Sequence, residues 1–175
     1  MQLGLSESAR VTTAEEARFR IDHPNSRPRK SRIIALDEAG LEALKKLTSD
    51  HKWPQAAHFL RYVEARGASD SLKMLAVDAV LENIDGGRVN LADEIADADV
   101  IVMVTTAGAS AAAAEVIGNA AFVRSKMTTG LVLNSADVPA IDLARTLTAM
   151  RPFAAMLVIS NGDEYVAEML SALRV

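Results

Sequence analysis

Ala98-Asp99-Val100-Ile101-Val102-Met103-Val104-Thr105-Thr106-Ala107-Gly108-Ala109-Ser110 decides the fold class. Residues 100–104 are an unbroken apolar run, mostly β-branched, of the kind found in a parallel strand covered on both faces. Small and hydroxyl-bearing residues follow, and 109–124, rich in alanine, reads as a helix. The same alternation continues outward in both directions. Toward the C-terminus come a buried strand at 130–133, a helix at 140–150, a strand at 155–159 and a closing helix at 163–173. Toward the N-terminus, 90–96 reads as a short helix, and Arg32-Ile33-Ile34-Ala35-Leu36 as a buried strand. Asp37 then stands at an N-cap position, ahead of Leu41, Leu44 and Leu47 at helical spacing.

Two segments read less clearly. Residues 57–63 favour a strand through Phe59, Tyr62 and Val63, with a helix begun after Pro54 as the alternative. Residues 72–84 suit either period; a strand over 76–81 is preferred, ahead of the turn Asp85-Gly86-Gly87. Strand–helix alternation with right-handed crossovers predicts an α/β protein, a three-layer αβα sandwich with a mainly parallel, Rossmann-like sheet.

The 175 residues are 50% apolar and 24% charged, enough to enclose a sizeable core. The absence of cysteine excludes disulfides, thiolate metal ligands and cysteine nucleophiles. Aromatics at 4% argue against a base-stacking surface. No apolar run approaches the roughly 18 residues that span a bilayer, and the opening MQLGLSESAR lacks the basic and apolar regions of a signal peptide. A cytoplasmic protein without membrane attachment is expected. The net charge of −4 makes nucleic acid an improbable partner.

That charge is uneven. Residues 1–32 carry seven basic and four acidic side chains, while the remainder carries 12 basic and 19 acidic. A basic arm, 1–30, partly disordered, thus precedes a single α/β domain at 31–175. Thr13-x-x-Glu16 has capping-box spacing and predicts a short helix within the arm. Such an arm suits an acidic face of its own body, or of a sister subunit, better than a nucleic acid or lipid partner.

In open parallel sheets ligands bind beyond the carboxyl ends of the strands, where helix N-termini present free N–H groups. The candidate ligand-binding residues are therefore Thr105, Thr106, Gly108 and Ser110 after the 100–104 strand, Ser135 and Asp137 after 130–133, and Asn161 and Asp163 after 155–159. Each alone is equally well read as a cap or turn residue; three such loops on one edge suggest a polar pocket. The expected ligand is small and polar or anionic, nucleotide-like or a phosphorylated metabolite.

Other chemistries find little footing. Gly108-Ala109-Ser110-Ala111-Ala112 resembles a nucleophile elbow with its last glycine replaced, but His23, His51 and His58 all precede Ser110, against the required Ser–Asp–His order. Neither G-x-G-x-x-G nor G-x-x-x-x-G-K-[ST] occurs. The histidines lack metal-ligand spacing and read as surface or loop residues, and Asp93/Glu94 and Asp97/Asp99 read as solvated charge. No catalytic residue, metal or cofactor is assigned.

Residues 98–102, Gly108-Ala109-Ser110, Ala114-Glu115-Val116-Ile117 and Gly130-Leu131-Val132 together resemble the strand–loop–helix–strand around the phosphate loop of the tubulin and FtsZ GTPases. That loop is rich in glycine and threonine in the family; here Gly108 stands alone, followed by alanines, and the family's N-terminal glycine loop has no counterpart. The resemblance implies shared α/β geometry and does not extend to GTPase activity.

The alanine-rich helix, apolar almost all round, is expected to be buried on more than one side, against the sheet and another helix of the same chain or of a second subunit. With Tyr165, Val166, Met169, Leu170 and Leu173 it could form a dimer face, so a homo-oligomer is expected, a dimer by preference. The alternative to a ligand-binding protein is an oligomeric structural or interaction protein without catalytic activity, using the arm and this helix as contacts.

Overall fold

The structure is a computed structural model that describes residues 29–63, 79–161 and 165–175. Its strands are β1 (Ser31–Ala35), β2 (Ala57–Val63), β3 (Val80–Asn83), β4 (Arg88–Asn90), β5 (Val100–Thr106), β6 (Met127–Asn134) and β7 (Met156–Asn161). The helices are α1 (Glu38–Asp50), α2 (Leu91–Asp97), α3 (Ala113–Val123), α4 (Ala140–Met150) and α5 (Val166–Ala172), with a 3₁₀ turn at Arg151–Phe153. The strands form one seven-stranded sheet in the order β4-β3-β2-β1-β5-β6-β7. The chain is thus α/β with a mostly parallel sheet: β2, β1, β5, β6 and β7 run parallel, and β3 and β4 join through antiparallel pairings.

Alternation along the central strands divides the core in two. Ile34, Leu60, Ile101, Met103 and Val132 point toward α2, α3 and α4, meeting Leu91, Ile95, Ala114 and Ile117. Ile33, Ala35, Val102, Val104 and Leu131 point the other way, toward α1 and α5, meeting Leu41, Leu44, Leu47, Val166 and Leu170. Each leucine buried along α1 contributes about 1.5–3 kcal/mol of transfer free energy.

The Asp85-Gly86-Gly87 turn is present as the β3–β4 hairpin, with Gly86 at φ +89°, where a side chain would be strained. The strand preferred at 76–81 begins instead at Val80; 72–78 lie outside the described residues, as do the predicted arm helix and Asp163. β4, three residues long, had no counterpart in the sequence reading.

The alanine-rich helix starts four residues later than its composition suggests. Residues 107–112 form turns, and the first bonds into α3 are of the tight i→i+3 kind, Ala114 N–H to Ala111 O and Glu115 N–H to Ala112 O. The close packing expected of it is real, and intramolecular: a Cβ at Gly118 would lie 2.4 Å from the Phe153 Cβ of the 3₁₀ turn. The helix is buried on more than one side, as expected, while its last turn leaves Phe122 83% and Val123 78% exposed. Among the described residues, no helix is long and apolar enough to cross a membrane.

Candidate functional site

β1 leads through α1 to β2 on one side, while the neighbouring β5 leads through α3 to β6 on the other. The connections therefore part above β1, the place where open parallel sheets form a crevice. Asp37, one residue beyond Leu36 at the end of β1, dominates it. Its Oδ1 accepts from Gly40 N–H at 2.8 Å and from Thr106 Oγ1 at 3.1 Å. Its Oδ2 accepts from Thr105 Oγ1 at 2.7 Å and Thr106 N–H at 2.8 Å. One carboxylate thus caps α1 and ties that cap to the end of β5. Gly40 permits the approach, since a Cβ there would stand 3.2 Å from Val104 O.

The loop beyond β5 is fixed as firmly. Ala107 N–H donates to Leu133 O at 2.8 Å, Ala109 N–H to Thr106 O at 3.1 Å, and Gly108 N–H to the buried Thr146 Oγ1 of α4 at 3.0 Å. Gly108 has φ +89°, in the left-handed region that favours glycine.

Above this floor opens a cavity of about 310 Å³, lined among others by Asp37, Glu38, Arg61, Tyr62, Ser110 and Ala113. Arg61 comes from β2, beside Ala35 of β1 in register. Its guanidinium pairs with Glu82 across the β2–β3 ladder, Nε to Oε2 at 2.6 Å, and reaches Glu38 only at 3.7 Å. On the opposite wall the first turn of α3 carries no side-chain cap, and among the described residues the N–H groups of Ala112 and Ala113 have no backbone acceptor. A cation, a hydroxyl and uncapped amides therefore border one opening, a combination that suits an anionic or strongly polar group.

Of the residues expected to bind ligand, Ser110 lines this cavity. Thr105, fully buried, and Thr106 build its floor through Asp37, and Gly108 anchors the loop. Ser135, Asp137 and Asn161 follow β6 and β7, two and three strands from β1, or roughly 10–14 Å at normal strand spacing. Asn161 Oδ1 accepts from Asn134 Nδ2 at 3.3 Å, and Ser135 O from Val138 N–H in a turn. Asp163 lies outside the described residues.

Sequence reasoning missed Arg61, Tyr62 and Thr146. Arg61 and Tyr62 were within reach, because a strand at 57–63 beside β1 must end at the same edge as Asp37. Thr146 carried no such signal.

The opposite edge of the sheet holds a second polar cluster. Arg32 of β1, its side chain 2% exposed, pairs through Nε with Glu94 of α2 and through Nη2 with Asp97 at 3.2 Å. Its Nη1 donates to Ser31 O and Ala56 O at 3.2 and 3.3 Å. Glu94 Oε2 also receives His58 Nδ1 of β2 at 2.8 Å. Lys30 Nζ donates to Asp97 Oδ1 at 2.6 Å, and the bond and charge of that ammonium hold the Asp97 carboxyl below its ordinary value of 3.8. Asp93, Asp97 and Asp99 are exposed, as expected of solvated charge, and His51 lies outside helix and strand. The reading is corrected for Glu94 alone, which α2 turns inward, its side chain 15% exposed, because burying Arg32 requires an acceptor close by. Among the described residues no group of three or more His, Cys, Asp or Glu has the arrangement to hold a metal ion. No known protein-family model matches the chain, and a search of curated proteins finds no significant relative.

Proposed function

We propose that this is a cytoplasmic ligand-binding protein of three-layer, Rossmann-like build, whose crevice above β1 takes the anionic group of a small, nucleotide-like or phosphorylated molecule. The observation that carries this reading is the convergence of Arg61, Ser110 and the uncapped N–H groups of Ala112 and Ala113 on one 310 Å³ cavity. That volume is at the lower end of small-molecule sites. The floor is already ordered by the Asp37 network, so little conformational freedom is lost when a ligand enters. An incoming anion would displace only the weakly held, exposed Glu38 from Arg61.

Thermal unfolding with inorganic phosphate, pyrophosphate and a nucleoside monophosphate tests the reading. A ligand at about 100 times its Kd stabilises by about 2.7 kcal/mol. The gain should vanish in Arg61→Ala and in Ala112→Pro; the latter removes one N–H at φ −58°, which proline accepts. No shift with any of the three would remove the anionic reading.

A second reading, an oligomer built on contact surfaces, is favoured by the exposed apolar run of Phe122, Val123 and Met127. Native mass spectrometry of the same samples decides between them: bound ligand mass supports the first, and a ligand-free dimer or larger assembly the second.

A further inference from the structure

We infer a second binding site, at the amino edge of the sheet, in which His58 presents Nε2 as a hydrogen-bond acceptor to a small donor-bearing molecule, an amine or alcohol. The inference rests on the Arg32–Glu94–His58 chain and on the cavity it borders, both separate from the crevice above β1. Glu94 Oε2 lies 2.8 Å from His58 Nδ1 and also faces the guanidinium of Arg32. A carboxylate oxygen facing both a guanidinium and a ring nitrogen accepts from each, so in the neutral ring Nδ1 is the nitrogen that donates. In the neutral ring the lone pair is then on Nε2, which has no partner among the described residues. An acidic group that fixes one ring nitrogen in this way is the usual means of setting which nitrogen faces a ligand.

His58 and Glu94 both line an open surface cavity of about 510 Å³, bordered also by Thr48 of α1, Phe59, and Asn83 and Asp85 at the β3–β4 turn. The lining holds the carboxylates of Asp85 and Glu94 and the His58 ring, beside the neutral Thr48 and Asn83. Neither lysine nor arginine contributes among the described lining residues. An anion would meet the Asp85 carboxylate with no lining cation beside it, whereas an ammonium or hydroxyl finds acceptors in Asp85 and the His58 ring.

Nitrogen-15 NMR of the ring in the wild-type protein tests the first half directly. Protonated Nδ1 with bare Nε2 is expected in the neutral ring; protonated Nε2 overturns the inference. Ethanolamine and acetate, similar in size and opposite in hydrogen-bonding sense, test the second half. Ethanolamine should shift the His58 ring and Asp85 signals saturably and acetate should not; no shift with ethanolamine, or equal shifts with both, also overturns it. His58→Gln, which keeps the Arg32–Glu94 pair, should lose the ethanolamine response at Asp85. Glu94→Gln, where it folds, should release the ring from the Nδ1–H form. Loss of phosphate binding at Arg61 leaves these outcomes untouched, so the two sites fail or stand separately.

Discussion

The two ends of β1 each carry a multiply bonded carboxylate, and they are satisfied in opposite ways. Beyond its carboxyl end, Asp37 takes four hydrogen bonds from neutral donors, two backbone N–H groups and two hydroxyls. At its amino end, Glu94 faces a buried guanidinium and an imidazole. Groups left behind by loss of Asp37 are dipoles, which water or a ligand can satisfy. What is left behind by loss of Glu94 is a charge in the interior. The first arrangement shapes a floor; the second holds a buried guanidinium in place.

Glu94→Ala puts this contrast to its hardest test. Breaking a buried ion pair from one side costs about 3–5 kcal/mol, and the remaining bonds of Arg32 to Asp97, Ser31 and Ala56 place the expected loss near the lower figure. Urea unfolding measures it, and a loss below 1 kcal/mol would mean that the cluster is solvated after all. Asp37→Ala should cost less, about 2 kcal/mol, from a lost helix cap and the stranded hydroxyl of fully buried Thr105. Should Asp37→Ala prove the more damaging, the neutral network is the stronger of the two and the contrast inverts.

The smallest effect concerns acid. Asp97 has its pKa lowered on folding, chiefly by the hydrogen bond from Lys30 and then by the ammonium charge. A group depressed in the folded state contributes stability above its unfolded value, here about 3.8, and loses it as pH falls through the lower folded value. Wild type should therefore lose more stability than Lys30→Met between pH 4 and the acid limit of folding, as followed by circular dichroism. Equal losses would show that the pair, exposed as it is, contributes nothing.

Much of the fold was legible because strand and helix periods were strong where burial was two-sided. Val100–Val104 and the Leu41, Leu44, Leu47 spacing were read correctly, and so was 57–63 as a strand. The start of α3 was misplaced because alanine favours a helix wherever it stands, while residues 107–112 follow bonds to β6 and α4 that no local pattern shows. β4 was missed because three residues are too few to show a period. The site was legible as an edge and not as a set of side chains. Loop composition pointed to Ser110 but equally to Ser135 and Asp137, which strand order places elsewhere. Arg32 was read within a buried strand but without partners; the β1–β2 register, with Arg32 beside His58, and the packing of α2 supply them.

Helix α1 has 13 residues, a rod of about 20 Å at 1.5 Å per residue. Its first turn hangs on Asp37 and lends Glu38 to the upper cavity, and Thr48 near its far end borders the lower one. β2 likewise runs from His58 below to Arg61 and Tyr62 above. A rigid element that slides or tilts does so at both of its ends. Should occupancy at one edge favour a displaced α1, reciprocity requires the same free energy to be returned at the other, so the scaffold that separates the two cavities is also the path by which they would be linked.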